Sequence, residues 1–390
     1  MTDLKDYLDP VSIDKPCFPN MAEEAQFGRS LTVNTENYTH SLLDNRDVAI
    51  VGLPDDIPPA NERESESANA VREKLYSLSR LPGRLRITDL GNMKRGASHA
   101  DTIAGLTDLL SVLRARGVLP LLMGGSSSLI ASADDLCRRE GVSYTLASVD
   151  SRIDYNPASR DHNRFNYLAR LRRGDRPAMG HYINVGYQTY LNDPQVVNLM
   201  RRSGYELLRL GEVREAIHQA EPLFRDSDIV MIDMGAVRQS DAPGTPMPSP
   251  NGLYGEEISL LAHYAGLSDR ISLFTLFEVN CRRDVDAQTA SLAAQTIWLF
   301  LESYTQRQAE NPSDSETANG GRFTRYHVTI SDLGGEMVFV KSNFTERWWV
   351  EVTRQEGEKG YLACSYDDYL KANANEVPER WLRVTKGTGR

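Results

Sequence analysis

Four short apolar runs, at 48–52, 118–125, 144–150 and 229–233, end in small, acidic or turn residues and are separated by stretches of helical periodicity. Runs this short and this uniformly apolar read as strands covered on both faces, which is the condition of a parallel sheet sandwiched between helices. The intervening stretch 101–117 shows the pattern directly. Ile103, Leu106, Leu109, Leu110 and Leu113 share one helical face, and Gly117 supplies the stop. Further strands are expected at 85–90, 181–185, 206–210 and 271–279, and further helices at 67–78, 129–140, 194–203, 213–220, 255–265 and 286–307. The alternation predicts an α/β fold, a three-layer αβα sandwich with a mainly parallel central sheet.

The pattern changes toward the C-terminus. Residues 308–321, rich in Asn, Ser, Asp, Glu and Gly, read as a linker closing the α/β body of 46–307, with 1–45 as an N-terminal extension. Within 322–390, the runs 326–330 and 336–340 pair as strands across Leu333-Gly334-Gly335, 347–352 makes a third strand, and a helix starts near Cys364-Ser365-Tyr366. This is a small β-rich extension. Its adjacent Trp348 and Trp349 read either as an exposed docking surface or as one residue facing a core. The extension is the candidate surface for a protein partner.

A formal charge of -10 over 390 residues argues against nucleic acid as a partner, since phosphate neutralisation needs a concentrated basic surface. No run of eighteen apolar residues occurs and the first residues lack an apolar targeting core, so a soluble, cytoplasmic chain is expected. Cys17, Cys137, Cys281 and Cys364 form no CxxC pair and read as reduced packing residues.

In an open parallel sheet, ligands bind beyond the carboxyl ends of the strands. Those ends deliver Gly124-Gly125-Ser126-Ser127-Ser128, Asp150-Ser151-Arg152-Ile153-Asp154, Asp233-Met234-Gly235 and Glu278-Val279-Asn280. Three of the four are acidic, and carboxylates at the ends of buried strands must find cations, donors or protons. An Asp-x-His-x-Asp string would place carboxylates and an imidazole around divalent cations. Here Arg152 stands between Asp150 and Asp154. The Gly-Gly-Ser-Ser-Ser turn reads as an exit from a buried strand or as an anion cradle. His99-Ala100-Asp101 has metal-like spacing but reads as a helix N-terminus.

Taken in order, these pieces resemble the arginase, agmatinase and formimidoylglutamase (ureohydrolase) family over roughly residues 45–305. Val51-Gly52-Leu53-Pro54-Asp55, Ala70-Val71-Arg72, Ser240-Asp241-Ala242-Pro243-Gly244-Thr245-Pro246 with Asn251-Gly252-Leu253, and Glu278-Val279-Asn280 follow the family's sequence of segments. The resemblance implies a dinuclear metal centre with two histidines and four aspartates. Ser127 and Arg152 replace the histidines, Asp150, Asp154 and Asp233 are retained, Gly235 replaces one aspartate, and Arg238-Gln239 replaces the final Asp-Pro. It further implies that Glu278 is the relic of a substrate-orienting carboxylate, although a glutamate at a strand end is more often a helix-cap or ion-pair partner. His162 stands roughly where family members carry a substrate-side histidine, or is a surface-loop residue.

A forked guanidinium can hold two carboxylates, so Arg152 and Arg238 are expected to substitute for the lost cations. On that reading no metal or other cofactor is bound, and the chain is a catalytically inactive homologue acting through binding, regulation or assembly. The alternative is a metal-dependent C–N hydrolase of a guanidino or formimino substrate, using Asp150, Asp154, Asp233 and Glu278 with manganese. Family resemblance also implies a homo-oligomer.

Overall fold

The computed structural model describes residues 4–11, 21–36, 40–54, 66–174, 176–313, 317, 321–331, 335–353 and 359–387. Cys17, Asp55, Leu333, Gly334 and part of the 308–321 segment lie outside them. The strands of the main sheet are β1 (Leu8–Asp9), β2 (Thr32–Val33), β3 (Val48–Gly52), β4 (Ile87–Met93), β5 (Leu119–Met123), β6 (Tyr144–Val149), β7 (Met179–Tyr187), β8 (Glu206–Arg209), β9 (Ile229–Asp233) and β10 (Leu273–Phe277). Their spatial order is β1-β4-β3-β5-β10-β9-β6-β7-β8, with β2 also on β4. All pairings are parallel except β1 with β4.

Strand pleating divides the interior into two layers. Val48 and Ile50, Leu121 and Met123, Val230 and Ile232, and Phe274 and Leu276 join one core with the helices Glu66–Ser77, Gly255–Gly266 and Gln288–Gln306. Ala49 and Val51, Leu122, Ile229 and Met231, and Leu273 and Phe277 face the helices His99–Ala115, Ala131–Glu140 and Pro194–Arg202. This is the three-layer αβα sandwich. The helix at 99–115 begins where the Ser98-Asp101 capping box satisfies its first amides, so His99 and Asp101 belong to a helix start. Sequence periodicity did not resolve the 3-10 turns at Ser127–Ile130, Ile217–Ala220 and Val285–Ala287 from the helices beside them. Among the described residues no helix is long and apolar enough to cross a membrane.

The C-terminal sheet comprises β11 (Phe323–Ile330), β12 (Gly335–Ser342), β13 (Trp348–Thr353) and β14 (Lys359–Cys364), all antiparallel and in chain order. β14 carries no sustained alternation of apolar residues and was not anticipated. Trp348 and Trp349 are 7% and 3% exposed and point to opposite faces, so neither forms an exposed docking surface. Trp348 packs with Tyr326 and Tyr369, while Trp349 packs with Phe323 and lies under the Arg225 guanidinium at 4.7 Å.

Buried ion pairs tie this sheet to the body. Arg380 reaches Glu206 on β8 at 3.2 Å and Asp226 at 2.8 Å, and Arg347 reaches Glu221 at 3.2 Å. Arg225 donates to the Cys364 carbonyl at 2.9 Å. Burial alone would raise the Glu206 carboxyl, but the Arg380 charge and the His181 imidazole hold it at about 2. A folded-state value below the unfolded one means this contribution is complete above the unfolded carboxylate range and disappears as pH falls through about 2. Removing Arg380 strips the buried Glu206 of its guanidinium, leaving it His181 at 3.1 Å, and leaves the half-buried Asp226 with Arg270 at 3.9 Å as its cation. Arg380→Ala is therefore expected to cost about 3–5 kcal/mol in urea unfolding at pH 7. That cost should shrink on acidification from pH 4.5 toward 2.

Candidate active site

Strands β5, β10, β9 and β6 are consecutive in the sheet, so the four chemically distinctive strand tips stand side by side. Gly124 and Gly125 leave β5 with φ of 77° and 70°, which turns the chain sharply toward Ser127. The Glu278 amide donates to the Gly125 carbonyl at 3.1 Å, knitting the tips of β5 and β10 together. Glu278 itself adopts φ 65°, a conformation that costs energy for a residue with a side chain and that persists where surrounding contacts impose it.

Those contacts are specific. Oε1 of Glu278 accepts the Ser127 amide at 2.8 Å and the Ser127 hydroxyl at 3.0 Å. Oε2 is paired with the guanidinium of Arg164, which is 17% exposed. Arg164 belongs to the loop leaving β6, and its own carbonyl lies 3.3 Å from the Ser127 hydroxyl. Asn166 staples this loop by donating to the carbonyls of Ser159 and Asp161 and accepting the Asn156 amide.

Next to Glu278 lie Asp150, Asp154 and Asp233, all buried, each offering an oxygen within 4.8 Å of the others. Local turns aim two of them. Asp150 Oδ1 accepts the Arg152 amide at 2.8 Å, and Asp233 Oδ1 accepts the Gly235 amide at 2.6 Å. A side chain at 235 would bring its Cβ to 2.9 Å from that same Asp233 oxygen, so glycine permits the close turn. The segment between Asp150 and Asp154 is held by Asn184, which donates to the Arg152 carbonyl, and by Asn192, which accepts the Ile153 amide.

Among the described residues, the buried Asp150 Oδ2 has no hydrogen-bond partner. Burial raises all three aspartates well above the usual carboxylate range, and the charges of their neighbours add to it. Only a shared proton or a cation can relieve such a cluster.

The expected substitution of that cation by Arg152 and Arg238 is corrected by the geometry. The Asp150 turn uses the Arg152 backbone amide, and the Arg152 guanidinium reaches the Leu191 carbonyl at 3.3 Å instead of bridging carboxylates. Arg152 remains at the pocket edge and acts on Asp154 only through its field. Arg238 pairs with Asp241 at 2.8 Å and lies over Tyr254. Arg164 is the guanidinium that enters the acidic pocket, and it was missed because a residue in a long loop carries no periodic signal.

His162, on the same loop, lies against the Ser128 carbonyl at 3.0 Å and 5.5 Å from the His99 ring. Burial and the charge of Arg170 push it down to about 4, so it is neutral at pH 7. It borders a neighbouring cavity with His99 and Ser128, whereas Ser127, Asp150, Arg152, Asp154, Arg164, Asp233, Gly235 and Glu278 line the acidic pocket.

The donor set suits one hard divalent ion, for which carboxylate oxygens are the natural ligands. It does not supply the imidazoles of a two-ion centre, because Ser127 is engaged with Glu278 and Arg152 points away.

Residues 46–302 match the arginase family model. The chain belongs to the arginase family. It is 26% identical over 225 residues to a formimidoylglutamase of Corynebacterium efficiens, a match spanning 55% of this chain and 68% of the relative. The fold is also that of formimidoylglutamase from Bacillus subtilis, with TM-score 0.64, 18% identity and coverage of 76% of this chain and 97% of the other. Trypanosoma cruzi formiminoglutamase, solved with Mn2+, superposes with TM-score 0.61 at 18% identity, covering 68% and 95%.

A test of the cluster exploits its unrelieved charge. In excess EDTA at pH 7, Asp233→Asn removes one buried carboxyl from a cluster whose members raise one another's proton affinity, and should raise the midpoint of thermal melts. With millimolar manganese the order should invert, because the variant has lost a ligand.

Proposed function

We propose that this chain is a hydrolase of carbon–nitrogen bonds in linear amidines, of the formimidoylglutamase type, working with one divalent cation held by Asp150, Asp154 and Asp233. The observation that carries this reading is the placement of three buried carboxylates, one with an unpartnered oxygen, at the floor of a pocket whose wall is Glu278. Family membership and the formimidoylglutamase relatives support it over an inactive role.

In this reading the division of labour follows from charge. A divalent ion at the three aspartates supplies Lewis-acid activation of water. Glu278, anchored by the Ser127 amide and hydroxyl, binds and orients the cationic amidine carbon group. Phe165, Pro246 and Met247 border the pocket. Burial of the carboxylates keeps their interactions with a cationic substrate strong.

The experiment has two arms. Elemental analysis of protein incubated with manganese and desalted should give about one ion per chain, as expected for a single three-carboxylate donor set. Release of formamide from formiminoglutamate, or of urea from agmatine or arginine, should then depend on that ion. Glu278→Gln should lower kcat/KM by about 100-fold or more, the scale of losing a charge-assisted orienting contact. Protein that binds no divalent ion and turns over none of these substrates would return the chain to the inactive reading.

A further inference from the structure

The Arg164–Glu278 pair places a guanidinium of the protein itself against the carboxylate that the proposed function assigns to a cationic substrate group. The pair is not a remote surface contact. Both residues line the acidic pocket, together with the three clustered aspartates. Glu278 is 4% exposed, and its other oxygen is already taken by two donors from Ser127, so an incoming cation meets the oxygen that Arg164 holds.

Arg164 rides on an exposed loop that behaves as a strap. Asn156, Asp161, Asn163 and Phe165 are exposed, while Asn166 closes the loop upon itself through three hydrogen bonds. Its contacts with the strand tips include His162 on the Ser128 carbonyl and the Arg164–Glu278 pair itself. An exposed loop stapled internally can shift without unfolding the sheet beneath it.

The geometry points to Arg164 as an internal occupant of the amidine subsite, a tethered guanidinium that a planar cationic ligand must displace to reach Glu278. This inference rests on the assignment of Glu278 as the cation-binding carboxylate, and it adds a selection rule. A ligand succeeds by offering more than the tethered guanidinium does, through a second contact with the pocket or its bound ion. A bare guanidinium competes against an occupant whose effective concentration is in the millimolar range typical of short tethers.

The test uses full-length protein and methylguanidinium as the probe, read by calorimetry and by hydrogen exchange rather than by turnover. Arg164→Ala should bind the probe at least about 10-fold more tightly than the unsubstituted chain, the scale set by removing such a competitor. Adding Glu278→Gln to that variant should abolish the gain. In the unsubstituted protein, saturating probe should speed amide exchange across residues 156–166. That second measurement keeps the test decisive if Arg164→Ala folds poorly.

Equal or weaker binding by folded Arg164→Ala, or unchanged exchange in the strap at saturation, overturns the inference and leaves Arg164 as a fixed charge partner. These results are separable from the hydrolase reading. Manganese-dependent turnover that is indifferent to Arg164→Ala would sustain the enzyme and reject the displaced arginine. Probe binding with the stated pattern but no turnover would do the reverse.

Discussion

The repulsion among Asp150, Asp154 and Asp233, held buried with oxygens within 4.8 Å of one another, is the constraint around which the strand tips are arranged. Carboxylates so close and so shielded from water raise one another's affinity for protons and cations, and the charges of Arg152 and Arg164 offset that only in part. Each local device nearby manages part of that charge. The Arg152 and Gly235 amides neutralise one oxygen each of Asp150 and Asp233 through tight turns. Among the described residues, Asp150 Oδ2 is left without a hydrogen-bond partner.

The scaffold explains why this concentration is tolerated. Tips of β5, β10, β9 and β6 are adjacent because those strands are neighbours in a parallel sheet, and parallel strands all deliver their carboxyl ends to one side. Two apolar layers, one on each face, fix the strands independently of the site. The fold can therefore bear an electrostatic cost at its edge that its core recovers many times over. The same separation lets the C-terminal sheet attach elsewhere, through Arg380, Glu206 and Asp226, without entering the acidic pocket.

Much of this was legible in the sequence, and the division between what was and was not follows physical lines. Strands such as 48–52 and 229–233 announce themselves because both faces are buried, and the carboxylate that ends the second, Asp233, comes with it. Helices with capping residues, such as that begun by Ser98 and Asp101, were equally plain. The direction of a side chain beyond a strand end was not. Arg152 sits between two aspartates in sequence, yet its amide rather than its guanidinium serves Asp150, and the side chain leaves toward Leu191. Arg164 is fourteen positions from Asp150 in a loop without periodicity, and only the folded path of that loop brings it to Glu278. Likewise β14 and the two-residue strands β1 and β2 take their strand character from partners rather than from their own pattern.

The residue at 127 connects the two halves of the site. An imidazole there would be a neutral metal ligand, and the backbone amide at 127 would still reach Glu278. A serine contributes no useful affinity for a transition metal, but its hydroxyl and amide together anchor Glu278 Oε1. The serine hydroxyl thus adds one donor to Glu278 where a histidine would offer an imidazole. The clustered groups are all carboxylates, a donor set that would favour a hard, oxygen-preferring ion. Glu278 is also the residue held in a strained backbone conformation and met by a guanidinium. Strain at Glu278 and its anchoring by residue 127 therefore meet at one strand tip, beside the three aspartates.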